Sequence, residues 1–250
     1  MSGSRFARGP AAADWSRREF LAFGWLPFLR RKHISLASAR FRILRNGRDH
    51  RHFLLIHGNE ETARAVLTRF METQEGTAYI IESHARNVPM DSGEIDPNRM
   101  FSRIGAEASL KSLNPGWTEG QLEHALQLLD RGREHLLRSL LPRDHKLIFA
   151  LHNNSENYSV ADEAPVSDAT SLREPGNPHA FFLCTDSADY VTLSQSGYNV
   201  VLQHEKPAAD DGSLSHLCAQ GGVRYVNLEV RLGDADRQLE MLRWANWSLP

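Results

Sequence analysis

His57-Gly58-Asn59-Glu60 follows the apolar run Phe53-Leu54-Leu55-Ile56. An imidazole and a carboxylate three residues apart, in a loop between strand and helix, can reach one metal ion if the backbone turns tightly. Glycine and asparagine permit such a turn. For His57 alone the plain alternative is a capping or core histidine. Its place after a strand favours the ligand role, because α/β sheets carry their sites at the carboxyl ends of strands. His152 follows the run Lys146–Leu151. It would complete a three-ligand set and leave a position for water, as catalytic zinc requires.

Two further segments bear on chemistry. In Asp96-Pro97-Asn98-Arg99, an arginine on a structured loop can hold a carboxylate through two parallel hydrogen bonds, and Asn98 adds a neutral donor. The alternative is a turn with a surface arginine. Glu229 lies in Tyr225-Val226-Asn227-Leu228-Glu229-Val230. A glutamate among apolar residues is costly to bury unless it is paired or catalytic. The alternative is the solvent face of an edge strand.

The elements that must position these residues follow from periodicity. Phe41–Leu44 alternates before Asn46-Gly47, a hairpin-type turn signal. His52–Ile56 reads as a buried strand. Ala63, Val66, Leu67 and Phe70 fall at helical spacing within 61–72. Thr77–Glu82 reads as a strand, and 83–103 as a long irregular loop of the kind that is usually functional. Residues 118–141 carry the longest helical pattern, from Leu122 to Leu140, ended by Pro142. Lys146–Leu151 is a strand with His152 at its end, and 155–180 a second long loop. Phe181–Leu183, Tyr198–Gln203 and Arg224–Val230 read as strands, Asp186–Ser194 as a helix or turn, and Asp234–Trp247 as a closing helix. Strands and helices alternate, which predicts an α/β fold with helices flanking a sheet.

Composition limits the alternatives. The chain has 250 residues, 41% hydrophobic and 24% charged, with a net charge of −2. Nothing overall attracts nucleic acid, and no apolar run is long enough to span a bilayer. Two cysteines, Cys184 and Cys218, make no disulfide framework, and Cys184 reads as a small buried hydrophobe. No G-x-S-x-G, P-loop or dinucleotide fingerprint is present. Of the 12 histidines, His84, His145, His179 and His216 read as surface or supporting residues.

Residues 1–33 form a separate N-terminal segment, with the main domain expected over 34–250. Within it, Ser16-Arg17-Arg18-Glu19-Phe20-Leu21 is similar to a twin-arginine export signal, and Ala37-Ser38-Ala39 fits an A-x-A cleavage site. The apolar part is short, contains Pro27 and runs directly into Arg30-Arg31-Lys32-His33. These features favour a short amphipathic helix and a cytoplasmic protein, with export as the alternative.

H-G-N-E, then D-x-N-R-x-F, then a strand ending in histidine, then a late strand with one glutamate: this order resembles the zinc carboxypeptidase superfamily. That superfamily includes metallocarboxypeptidases and the succinylglutamate desuccinylase and aspartoacylase branch. The resemblance runs from about residue 50 to 232, and H-G-N-E with N-R-x-F looks most like the deacylase branch. Pro97 stands where deacylases often carry leucine. The resemblance implies a single domain with a mixed central sheet flanked by helices. It implies Zn2+ held by His57, Glu60 and His152, with Glu229 as general base and acid. It further implies Asn98 and Arg99 as the substrate-carboxylate pair and Arg86 as the carbonyl-polarising arginine. The implied reaction is hydrolysis of an amide bond beside a carboxylate, in a small peptide or an N-acyl amino acid. A non-catalytic zinc- or ligand-binding module on the same fold is the alternative, and an intact Glu229 speaks against it.

Overall fold

The computed structural model describes residues 32–250, apart from 49–50, 143–146, 206 and 208. The twin-arginine-like segment and His145 lie outside the described residues. Lys32 and His33 already belong to the first strand, β1 (Lys32–Leu36), which pairs antiparallel with β2 (Ala39–Asn46). Ala37 and Ser38 form the turn between them, with Ala37 in the left-handed region at φ +50°. The A-x-A motif thus makes the hairpin turn at Ala37-Ser38 and the first residue of β2, and Leu36 and Ala39 on either side of the turn are fully buried.

The chain continues through β3 (His52–Leu55), α1 (Glu61–Phe70), β4 (Gly76–Ile81), β5 (Val88–Met90) and β6 (Gly93–Ile95). Next come α2 (Arg103–Leu113), α3 (Glu119–Leu140), β7 (Leu147–Asn154), α4 (Val160–Glu163), β8 (Ala169–Ser171) and β9 (Phe181–Cys184). It closes with α5 (Ser187–Leu193), β10 (Asn199–Leu202), α6 (Leu214–Gln220), β11 (Arg224–Arg231) and α7 (Ala235–Ser248). Among the described residues nine strands form one sheet in the order β1-β2-β4-β3-β7-β11-β9-β10-β8, and β5 and β6 make a separate hairpin. The centre, β4-β3-β7-β11, is parallel. β9 runs antiparallel to β11, so the sheet is mixed. This is one α/β domain with helices on both faces.

The central strands are apolar on both sides because helices cover both. On one face Leu54, Ile148, Ala150, Phe181 and Tyr225 pack under α2, α3 and α6. On the other, Phe53, Phe149, Phe182, Val226 and Leu228 pack under α1, α5 and α7. Burying each such large side chain contributes about 1.5–3 kcal/mol, so β3, β7 and β11 are the best-anchored part of the sheet.

Several expectations are refined. The Asn46-Gly47 turn forms, with Gly47 at φ +64°. It joins strands that are not neighbours, since β4 lies between β2 and β3. The 83–103 segment is not irregular throughout: it contains the β5–β6 hairpin, turned at Asp91, and a 3-10 turn over Pro97–Arg99. The 155–180 segment contains α4 and β8. The β7 strand runs on through His152 to Asn154. Glu229 is not on an edge strand: β11 sits between β7 and β9.

Candidate metal centre and cleft

His57 and Glu60 leave the carboxyl end of β3, and Glu60 is the N-cap of α1. Between them Gly58 donates its N–H to the Ala85 carbonyl at 3.1 Å. A Cβ on Gly58 would lie 2.3 Å from the Ser83 carbonyl oxygen and 2.5 Å from that of Ala85. Only glycine allows this loop to lie so close to the segment after β4. His152 comes from β7, where it pairs in register with Glu229 of β11. Adjacent residues in register point to the same face, so both side chains project beside the H-G-N-E loop.

His57 Nδ1 lies 2.9 Å and His152 Nδ1 3.4 Å from the same oxygen, Glu60 Oε1. All three residues are buried, and their ligating atoms lie within 4.8 Å of one another. The second oxygen, Glu60 Oε2, is buried without a hydrogen-bond partner among the described residues, an arrangement costly to leave unsatisfied. Two imidazole nitrogens and one carboxylate, converging around an unsatisfied oxygen, fit a metal site, and this donor set suits a borderline-soft divalent cation.

A partner that sequence reasoning passed over holds His57 from outside. Asp96 Oδ1 sits 2.9 Å from His57 Nε2. The same oxygen accepts the Asn98 N–H at 2.8 Å, and Arg86 Nη2 donates to Oδ2 at 3.3 Å. Burial alone would lower the His57 pKa, but hydrogen bonds to Asp96 and Glu60 raise it to about 8. Burial would raise Glu60, yet the charge and hydrogen bonds of His152 and His57 bring it down to about 2. Asp96 stays well below the usual carboxylate range because His57, Arg86 and the Asn98 N–H outweigh its burial. The end of β7 is fixed in turn by α7 and α1. Gln238 Nε2 donates to the His152 carbonyl at 2.9 Å, and Asn153 Oδ1 accepts the Ala63 N–H at 2.8 Å.

Glu229 is 6% exposed. Its Oε1 accepts from Asn227 Nδ2 at 3.1 Å and its Oε2 from Asn154 Nδ2 at 3.2 Å. Burial pushes its pKa up and the Glu60 charge adds to this, while His152 and the two amides pull the other way. A carboxyl group so placed is suited to exchanging a proton. Asn227 and Asn154 carried no motif signal of their own. Gln238 did leave one: it occupies the buried stripe of α7 with Met241, Leu242 and Ala245.

A cleft of about 1040 Å³ opens over the cluster, lined by His57, Glu60, His152 and Glu229 together with Arg86, Asn98 and Arg99. The structure thus brings all seven sequence-derived site residues to one cavity. Arg86 is the least confined, with its side chain 52% exposed. Arg99 Nη1 pairs with Asp211 Oδ2 at 3.2 Å, and Asn98 Oδ1 accepts the Leu214 N–H at 3.2 Å. The 209–213 segment buttresses this wall. Gly212, at φ +76°, accepts the Phe101 N–H at 3.1 Å through its carbonyl. Cys184 is fully buried, His84 is exposed, and His179 is bound to the Tyr158 carbonyl.

No family profile and no curated relative matches this chain. Its structure is similar to that of the product-bound ectoine utilization protein EutE (DoeB) from Ruegeria pomeroyi, at 14% identity and TM-score 0.44, over 83% of this chain and 59% of that one. It is also similar to a candidate metallopeptidase from Shewanella denitrificans OS217, at 14% identity and TM-score 0.45, over 88% of this chain and 83% of that one. A third likeness is to succinylglutamate desuccinylase/aspartoacylase from Rhodobacter sphaeroides, at 14% identity and TM-score 0.42, over 86% of this chain and 63% of that one. The chain spans less than two thirds of the length of the first and third. Among the described residues no helix is long and apolar enough to cross a membrane.

Proposed function

We propose that this chain is a zinc-dependent hydrolase that cleaves an amide bond in a carboxylate-bearing substrate, either a C-terminal peptide bond or an N-acyl amino acid. The convergence of His57 Nδ1, Glu60 Oε1 and His152 Nδ1 beside the buried Glu229 carries this reading. When bound, zinc supplies Lewis-acid chemistry, lowering the pKa of a water toward neutrality and polarising a carbonyl. Glu229 takes the proton of the attacking water on its carboxylate and delivers it to the leaving nitrogen. Arg86 donates to the oxygen that gains charge as the carbonyl is attacked. Arg99 and Asn98 hold the substrate carboxylate and so fix the distance of the scissile amide from Glu229. Asp96 keeps the His57 ring in the orientation that turns Nδ1 inward.

The test is hydrolysis of a panel of N-acyl amino acids and short peptides by the purified protein. Activity should vanish on chelation and return with zinc. No hydrolysis of any member, or hydrolysis indifferent to metal removal, contradicts the reading.

A further inference from the structure

The loop that carries His57 and Glu60 is tied to its surroundings by an arginine. Arg64 is the fourth residue of α1, whose N-cap is Glu60. A cation near that end meets the positive pole of the helix, which disfavours it. Basic residues suit the last turn instead, where α1 carries Arg69. A residue set against the local preference of its helix calls for a compensating contact elsewhere in the fold.

That contact is a set of three backbone carbonyls. Arg64 Nη1 donates to the Ile81 carbonyl at 2.8 Å, and Nη2 donates to those of Ser83 at 2.8 Å and Gly58 at 3.1 Å. Ile81 ends β4 and Ser83 follows it, whereas Gly58 lies between the two candidate ligands. The Arg64 backbone N–H also donates to the Glu60 carbonyl at 3.0 Å. One residue therefore bonds to the H-G-N-E backbone at two points. The Gly58 N–H, held by the Ala85 carbonyl, ties the same loop to the same segment. The Arg64 side chain is 16% exposed, and the Glu61 carboxylate, 3.8 Å from Nε, stands beyond hydrogen-bond distance. Burial is the main influence on the Arg64 pKa and lowers it, Glu61 opposes this, and Arg42 adds to it. Carbonyl dipoles thus supply the hydrogen bonds of a partly desolvated cation. A planar guanidinium can serve three carbonyls at once, and an ammonium on a flexible stem is no substitute for its fixed fork.

We propose that Arg64 is a positioning residue for the metal centre: its guanidinium pins the Gly58 carbonyl to the end of β4 and so presents His57 and Glu60 as a preformed pair of ligands. The proposal rests on the zinc-hydrolase reading for its ion and deepens it. A ligand pair already held in place loses little conformational freedom when the ion binds. Without the guanidinium the ion itself must order the loop, and affinity falls. The fold does not depend on Arg64 to the same degree. Ala63, Val66, Leu67 and Phe70 seat α1 on the sheet, and β4 is held by its pairing with β2 and β3. Loss of the guanidinium therefore falls chiefly on the ligand loop.

Zinc affinity, measured by competition with a chelator of known affinity, tests this in wild type, Arg64→Lys and Arg64→Met. Urea unfolding of each zinc-free protein accompanies it. Leu193→Ala is the control, since it opens the core under α5 without touching the loop. Arg64→Met should weaken zinc binding by about 10–100-fold, the scale for losing a group that orients metal ligands. Arg64→Lys keeps the charge but not the fork and should still lose about tenfold. Leu193→Ala should lower stability and leave zinc affinity as in wild type. Affinity lost in the Arg64 variants and kept in Leu193→Ala upholds the positioning role even if no substrate is hydrolysed, and the hydrolase reading then falls alone. Affinity unchanged in Arg64→Lys, or reduced only as far as in Leu193→Ala, overturns the role whether or not hydrolysis is seen. Wild-type protein that binds no zinc overturns the role and the hydrolase reading together. Should Arg64→Met fail to fold, Arg64→Lys decides.

Discussion

The Nε2 atom of His57 lies 2.9 Å from Asp96 Oδ1, so the ring is gripped on its outer edge while Nδ1 faces Glu60. Such an outer carboxylate fixes the ring and its tautomer and makes the inner nitrogen a better ligand. Asp96→Asn should therefore weaken metal binding by about 10–100-fold, with the fold intact. Competition against a chelator of known affinity measures this. Unchanged affinity would reduce Asp96 to a cap for the Pro97–Arg99 turn, a role it also fills through the Asn98 N–H.

Glu229 receives an amide N–H on each oxygen, from Asn227 and Asn154. Glu229→Gln presents an amide of its own and removes the proton acceptor. It should retain zinc while hydrolysis falls by about 10²–10⁴-fold, the scale of general acid–base catalysis. Zinc content and steady-state kinetics on the same preparation check this together. An active Glu229→Gln protein would take Glu229 out of the chemistry.

Much of this arrangement was legible in the sequence where burial leaves a pattern. The apolar runs before His57 and His152 gave β3 and β7. The helical patterns over 118–141 and Asp234–Trp247 correspond to α3 and α7. The elements that escaped are short or thinly apolar. α2 buries only Gly105, Ala106 and Leu110, and α6 only Leu214 and Cys218. β5, β6 and β8 have three residues each, too few to display a period of two. β1 escaped because its buried positions, Ile34 and Leu36, directly follow a basic cluster. The His57–Asp96 contact bridges 39 positions along the chain. No local spacing encodes it, although Asp96 itself stood in a motif already singled out.

Gly58 supplies a test of the loop that carries two of the candidate ligands. A methyl group there would collide with the Ser83 and Ala85 carbonyl oxygens, which are backbone and cannot swing aside. Gly58→Ala should cost about 1–3 kcal/mol, as overpacking does. It should also weaken zinc binding, because His57 and Glu60 flank the displaced residue. Urea unfolding with and without zinc measures both. A stability loss with zinc affinity unchanged would mean that the loop and the ligands move independently.

Arg99 meets Asp211 at 3.2 Å, yet its side chain remains 37% exposed, and it lines the cleft. If it grips a substrate carboxylate through two parallel hydrogen bonds, lysine cannot replace it, since an ammonium offers no planar fork. Arg99→Lys and amidation of the substrate carboxylate should each cost about 2–5 kcal/mol in kcat/KM. The two losses should not add, because they remove one contact. A four-way kinetic comparison decides, and full additivity would leave Arg99 as a brace for Asp211 and the 209–213 segment.

The most direct measurement is the zinc content of purified wild type, His57→Ala and His152→Ala by elemental analysis. Wild type should carry about one zinc per chain, as a single catalytic site implies, and each variant should lose it while still folded by circular dichroism. Wild-type protein without stoichiometric zinc after incubation with the metal, or full retention in both variants, would contradict the assignment of His57, Glu60 and His152.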